Sequence, residues 1–143
     1  MFASLWFFPA QHPVRREIIQ GFRMGLSDKL KFDANGLIPA VIQDYRTGKV
    51  LMLGYMKREG VEETLRIGRP VFWSRSRQTR WVKGETSGHT QEVKEILYDC
   101  YGNSLLIKVE QKGPVCHTNY TSCFYRKVLP DGTEEIVEEK LED

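Results

Sequence analysis

Two apolar runs separated by four residues constrain this chain most: LIPAVIQD at 37–44 and KVLMLGY at 49–55, joined by Tyr45, Arg46, Thr47 and Gly48. Each run is strand length, and a glycine at the end of the connection supplies the positive φ of a tight turn. The pair reads as an antiparallel hairpin. Both runs are nearly continuous in apolar residues, so burial on both faces is expected. Lys57 to Ile67 then places Val61, Thr64 and Leu65 on one side of a helix among glutamates and lysines, and Gly68 ends it. That helix reads as a cover over the sheet.

Further strands are expected at Pro70–Ser76, Glu92–Cys100, Ser104–Gln111 and Cys123–Val128. Leu105, Ile107 and Val109 alternate with Leu106, Lys108 and Glu110, the pattern of a half-buried strand. Gly102 and Asn103 form the tip of a hairpin between the second and third of these strands. The expected class is α+β, a mostly β single domain with one or two covering helices. Residues 1–29, with Pro9, Pro13 and Gly21 and no sustained period, read as an N-terminal extension, and Met24 is an alternative start. Residues 30–129 form the domain, and 130–143, PDGTEEIVEEKLED, an acidic tail expected to be frayed or solvated.

At 143 residues the chain can bury a core without disulfides. A net charge of +2 argues against duplex nucleic acid as the main partner while leaving nucleotide substrates open. No apolar run approaches the roughly 20 residues that cross a bilayer, and MFASLWFFPAQHPVRR at the start lacks a leading cation and a small-residue cleavage site. The chain is not expected to engage a membrane. Its three cysteines favour a reducing, cytoplasmic setting.

Those cysteines, Cys100, Cys116 and Cys123, lie in two segments, DCYGN at 99–103 and CHTNYTSC at 116–123. An odd count forbids complete disulfide pairing, and a buried free thiol is the commonest state of any one cysteine. Against that stands a second reading: three thiolates leave one position open on zinc for a water, and Asp99 and His117 supply a further ligand or proton carrier at each end. The stretch 73–91, WSRSRQTRWVKGETSGHTQ, gathers Ser74, Arg75, Ser76, Arg77, Lys83, Thr86, Ser87 and His89 beside Trp73 and Trp81. Guanidinium groups, hydroxyls and glycine-freed N–H groups are the parts of phosphate sites, and the tryptophans are candidates to stack a purine. A solvated basic loop with two core anchors is the plainer alternative.

Taken together, WSRSRQ at 73–78, KGETSGHTQ at 83–91, KVEQKGPVCHT at 108–118 and SCFYR at 122–126 closely resemble phosphoribosyl-AMP cyclohydrolase, the enzyme of histidine biosynthesis that opens the adenine ring of its substrate. The likeness runs from about Phe32 to Lys127 and includes LIPAVIQD and VLMLGYM. It implies a homodimer with metal sites at the interface, in which Cys100 of one subunit joins Cys116 and Cys123 of the other around Zn2+. It implies hydrolysis of the N1–C6 bond by zinc-activated water, with His117 the general base or a group that orients the site. Arg75, Arg77 and Lys83 are then expected on the substrate's two phosphates, with Ser74, Ser76, Thr86, Ser87 and His89 around them. It further implies Mg2+ at the DCYGN segment. There this chain departs from the family's Asp-Cys-Asp-x-Asp, with Tyr101 and Asn103 in place of two aspartates, so that site is expected to be weakened, lost or completed by other groups. Two alternatives stand beside this reading: a catalytically weakened, zinc-stabilised dimer that binds a phosphorylated nucleotide, and a zinc module that binds single-stranded nucleic acid through Trp73, Trp81 and the arginines.

Overall fold

The computed structural model describes residues 25–141. The first 24 residues of the expected extension, and with them the question of the start, lie outside the described residues. Residues 25–29 are helical (α1), and Leu26 and Leu30 enter the core, so this end of the expected extension is part of the domain.

The strands are β1 (Leu37–Asp44), β2 (Val50–Lys57), β3 (Val71–Ser74), β4 (Thr79–Val82), β5 (Gln91–Tyr98), β6 (Leu105–Gln111), β7 (Arg126–Val128) and β8 (Glu134–Ile136), with helix α2 (Arg58–Ile67) between β2 and β3. A four-stranded sheet runs β2-β1-β6-β5, and β3–β4 and β7–β8 form two separate hairpins. β1 pairs antiparallel with β2 and parallel with β6, while β5 and β6 are antiparallel. The result is a mostly β, small single domain. No helix among the described residues is long and apolar enough to cross a membrane.

The first hairpin turns at Gly48, whose φ of 79° lies where a side chain is disfavoured. Helix α2 buries Gly60, Val61, Thr64 and Leu65 and ends at Gly68 in the left-handed conformation, as its sequence pattern predicts. Thr64 links the helix to β3: its hydroxyl donates to the Gly60 carbonyl at 2.7 Å and accepts the Val71 N–H at 2.9 Å.

β2 corrects the expectation of burial on both faces. It is an edge strand, and its apolar residues divide between two surfaces. Met52, Ile42, Ile107 and Ile96 stand in register across the sheet on the core face. Leu53, Val41, Leu106 and Leu97 stand in register on the opposite face, with Leu53 45% and Leu97 41% exposed. An uncovered apolar row spanning four strands accounts for the strand's continuous hydrophobicity.

Two further corrections concern polar segments. The stretch 77–91 contains β4, whose Trp81 stacks on buried Phe72 with centroids 4.7 Å apart and whose Val82 is buried. Trp81 is thus a core anchor with one ring face already taken. The tail is not frayed over its described length: Val137 N–H donates to the Tyr125 carbonyl at 2.9 Å, Thr121 N–H to Glu139 at 3.0 Å and Leu141 N–H to Asn119 at 2.7 Å. Its acidic side chains remain mostly exposed while its backbone is paired.

Candidate active site

The segment 116–125 is a loop clamped against the start of β2. Cys116 N–H donates to the Tyr120 carbonyl at 3.1 Å and Asn119 N–H to Cys116 at 2.8 Å, with Asn119 at a φ of 70°, a value asparagine tolerates better than most residues. The buried Ser122 hydroxyl donates to the Val50 carbonyl at 2.9 Å, and Cys123 N–H to Leu51 at 2.7 Å. Tyr120 and Tyr125 stack at 3.8 Å and close the loop's base.

This folding brings the Cys116 and Cys123 thiols close enough for each to influence the other's ionisation. Burial is the largest influence on both, and it pushes both up. For Cys116 it is outweighed by hydrogen bonds from Thr118, whose hydroxyl lies 2.9 Å from the sulfur, by the Cys123 thiol and by the Lys83 charge, so its thiol falls below the ordinary range. Burial, then the charge of Cys116, raise Cys123 to about 11. The surroundings thus favour the thiolate at Cys116 more than at Cys123, and a soft cation would take both as thiolates. Lys83, half-buried just beyond β4, feels both sulfurs; burial lowers its ammonium and the two thiols oppose that.

His117 is exposed on the same turn as Cys116. His89 reaches this end of the molecule from the loop after β4: a Cβ at Gly113 would stand 2.7 Å from His89 Cδ2, so the imidazole lies over the segment that leads from β6 to Cys116. Lys112 N–H donates to the Thr90 carbonyl at 2.9 Å and fixes that approach. In the same loop the Ser87 hydroxyl accepts the His89 N–H at 3.2 Å, and Thr86 and Ser87 are exposed.

The other half of the predicted phosphate set lies elsewhere. Ser74, Arg75, Ser76 and Arg77 occupy the tip of the β3–β4 hairpin, with Arg77 N–H donating to the Ser74 hydroxyl at 3.2 Å and Gln78 Nε2 to the Arg75 carbonyl at 2.7 Å. The four residues of β4 separate this tip from Lys83, roughly 16 Å at the rise of a strand. The tip belongs with the Leu37 end of the sheet, and the loop 83–90 with the thiol pair.

Cys100 also lies at the far end. It is exposed in the β5–β6 turn, where Lys31 N–H donates to the Gly102 carbonyl at 2.7 Å. Met52, next to the Leu51 that anchors Cys123, is level with Ile107, whereas Cys100 precedes Leu105 two strands away, a separation of at least ~10 Å. Among the described residues no three of His, Cys, Asp and Glu gather closely enough to hold a metal ion. Cys116 and Cys123 have the soft donor chemistry that suits zinc, and Cys100 lies too far off to join them within one chain.

The DCYGN turn fits a hard cation poorly. Asp99 Oδ1 accepts N–H bonds from Asn103 at 2.8 Å and Ser104 at 3.3 Å. Burial raises the carboxyl and these bonds outweigh it, holding it below the usual range. Asp99 is the only carboxylate of the turn and serves to close it, while Tyr101 is 69% exposed.

Sequence reasoning missed Lys57 and Asn35. Both border a cleft with Arg75, and neither carries a signal: Lys57 reads as the polar start of a helix and Asn35 as a turn residue.

Residues 52–125 match the family Phosphoribosyl-AMP cyclohydrolase. A curated protein of that name from Chlorobium limicola is 49% identical over 124 residues, covering 87% of this chain and 90% of its own length. One from Pelotomaculum thermopropionicum is 53% identical over 116 residues, covering 81% and 90%. A third, from Cereibacter sphaeroides, is 58% identical over 108 residues, covering 76% and 90%.

Proposed function

Because the chain belongs to the phosphoribosyl-AMP cyclohydrolase family of hydrolytic enzymes, we propose that it opens the adenine ring of phosphoribosyl-AMP at the N1–C6 bond, as a zinc-dependent homodimer of histidine biosynthesis in the cytoplasm. The observation that carries this reading is the division of the thiols. Cys116 and Cys123 form a coupled pair at one end of the sheet, and Cys100 is exposed at the other, too distant within one chain. A second copy supplies the missing ligand if Cys100 of the partner subunit meets the pair. The apolar row of Leu53, Val41, Leu106 and Leu97 gives two copies a surface to bury.

Cys116, Cys123 and Cys100 of the partner subunit would hold the ion, which supplies Lewis-acid activation of a water at neutral pH. His117 takes the proton of the attacking water on a ring nitrogen, the acceptor role an imidazole beside the metal ligand Cys116 can fill. The water's oxygen becomes the carboxamide oxygen at C6, and N1 leaves as the nitrogen of an amidine, taking a proton back. Lys83, beside the sulfurs, offsets the negative charge that thiolates concentrate there. Arg75 and Arg77, with Ser74 and Ser76, serve one phosphate at the hairpin tip; Lys83, Thr86, Ser87 and His89 serve the other end. No step is assigned to magnesium, because the turn at Asp99 is closed by its own hydrogen bonds.

Turnover of phosphoribosyl-AMP by purified protein, with zinc content and mass measured together, tests the reading. Cys116→Ser is expected to lose zinc and activity at once, since a hydroxyl replaces little of a thiolate's bonding to a soft cation. Full activity with zinc bound in that variant, or a zinc-loaded active monomer, contradicts it.

A further inference from the structure

Beside the β3–β4 tip lies a cleft of about 340 Å³ lined by Asn35, Leu37, Lys57, Trp73, Arg75 and Gln78. It is within the size range of small-ligand sites. Its two cations are held in an unusual way. Lys57 Nζ sits 3.7 Å from the centroid of the Trp73 ring, and Arg75 Cζ lies 3.9 Å from that of Tyr55. Aromatic faces fix cations in place without cancelling their charge.

Neighbouring cations are treated differently. Arg58, the next residue after Lys57, pairs with Asp28 at 3.3 Å, and Arg80, across the hairpin, is bound by both carboxylate oxygens of Glu63. Lys57 and Arg75 form no ion pair among the described residues. Among the described residues, no carboxylate lines the cleft. Two fixed, uncompensated positive charges facing one space, with the Asn35 and Gln78 amides as neutral partners, make a site for a compact dianion. Leu37 and Trp73 give it an apolar side against which a sugar ring can rest.

We propose that this cleft binds a phosphate monoester carried on a sugar, with Lys57 joining the hairpin-tip Arg75 as a cationic ligand. That the monoester is one of the two ribose phosphates of the enzyme's own substrate rests on the function proposed above; the anion site itself does not. Lys57 thereby becomes a determinant of substrate affinity at the end of the chain opposite its Cys116–Cys123 pair. Its charge is offered before the reacting ring is reached, so it is expected to act on KM more than on kcat.

The test uses ribose 5-phosphate as probe and ribose as control, titrated into the full-length protein by calorimetry and followed by backbone amide NMR. Ribose 5-phosphate is expected to bind, ribose not, with shifts concentrated at Asn35, Trp73 and Gln78. Lys57→Gln and Arg75→Gln should each weaken binding about tenfold, the worth of one charge-assisted bond, and Lys57→Arg should restore most of it. With phosphoribosyl-AMP, Lys57→Gln should raise KM several-fold with little change in kcat. If wild-type protein turns the substrate over but Lys57→Gln changes neither KM nor probe affinity, the cleft assignment falls and the enzyme reading stands. If the probe binds as predicted but no turnover occurs, the cleft stands and the enzyme reading falls. Equal binding of ribose and ribose 5-phosphate, or shifts confined to other residues, overturns the cleft without reliance on any variant.

Discussion

Gly54→Ala is the substitution that most directly joins the packing of this fold to its candidate site. Gly54 faces the core from β2 opposite Ala40, and a Cβ there would stand 2.5 Å from Phe72 Cδ1 and 2.7 Å from Cε1. The ring has little freedom to give way, being 2% exposed and stacked on Trp81. Nor is β3 free to retreat: on its other side the Val71 carbonyl oxygen approaches α2 so closely that a Cβ at Gly60 would meet it at 2.8 Å. An extra methyl in such a place costs about 1–3 kcal/mol. For a domain of this size that is a fall of roughly 3–15 °C in Tm, at 3–5 °C per kcal/mol.

β3 carries Trp73 and leads to Arg75, so displacing it should also part Lys57 from Trp73 and Arg75 from Tyr55 and raise KM for the phosphorylated substrate. Thermal unfolding and kinetics measure both effects. Gly25→Ala is the control: it is helical with nothing within 4 Å of a Cβ, so it should be neutral or stabilising by up to about 1 kcal/mol. Phe72→Leu, by shortening the opposing side chain, should cost less in the Gly54→Ala background than alone. A Gly54→Ala protein with wild-type Tm and KM, or strict additivity with Phe72→Leu, refutes the argument.

Three further outcomes follow from the same contacts. The hydrogen bonds of Arg80 hold the Glu63 carboxyl below its usual range, so their contribution is present above the unfolded value of about 4.3 and is lost as pH falls through the lower folded value. Glu63→Gln should therefore lower Tm at pH 7 by a small amount, worth under about 1 kcal/mol for so exposed a pair, and that difference should vanish near pH 3 in paired melting curves. Ending the chain after Leu129 removes the N–H bonds that tie 119–125 to the tail, and the amides of that loop should exchange faster with solvent while those of β1 and β6 do not. Turnover of the zinc-loaded enzyme should respond little to added magnesium, and Tyr101→Asp with Asn103→Asp should create a response; equal magnesium saturation curves would show that this turn does not set it.

What the sequence disclosed, it disclosed through side-chain pattern. β1, α2 and the turn at Gly102 announce themselves by apolar runs, a one-sided helix and a glycine, because burial selects those residues locally. β4 escaped notice because its four residues run from exposed Thr79 and Arg80 through half-buried Trp81 to buried Val82, a gradient toward the core with no period-2 alternation, amid turn residues. The tail misled for a different reason: acidity describes its side chains, whereas its order comes from backbone N–H groups, which have no signature in composition. For the site, Cys116 and Cys123 were legible as neighbours, since seven residues of one loop can bring them back together. The distance of Cys100 was not. It is fixed by the parallel pairing of β1 with β6, a long-range choice that spacing along the chain does not encode.

Under the proposed function, that topology would make a single chain insufficient. The parallel pairing sends the β5–β6 turn, with Cys100, to the end of the sheet where the cleft of Lys57 and Arg75 opens, and leaves the thiol pair, Lys83, His89 and His117 at the other. Each end alone is half of a site: one has cations for a phosphate and a single thiol, the other two thiols, a lysine and two histidines. A twofold pairing that joins unlike ends across the apolar row of Leu53, Val41, Leu106 and Leu97 makes two identical composite sites at once, as closed symmetry requires. A substrate with a phosphate at each extremity and a reacting ring between them matches that division, each phosphate held by a different copy and the ring beside the completed thiolate set. Zinc would then add its binding energy only to the dimer, so metal removal should loosen the pair as well as lower its Tm. Zinc-free protein that stays equally dimeric and equally stable would detach the metal from the interface and leave the apolar row as its sole adhesive.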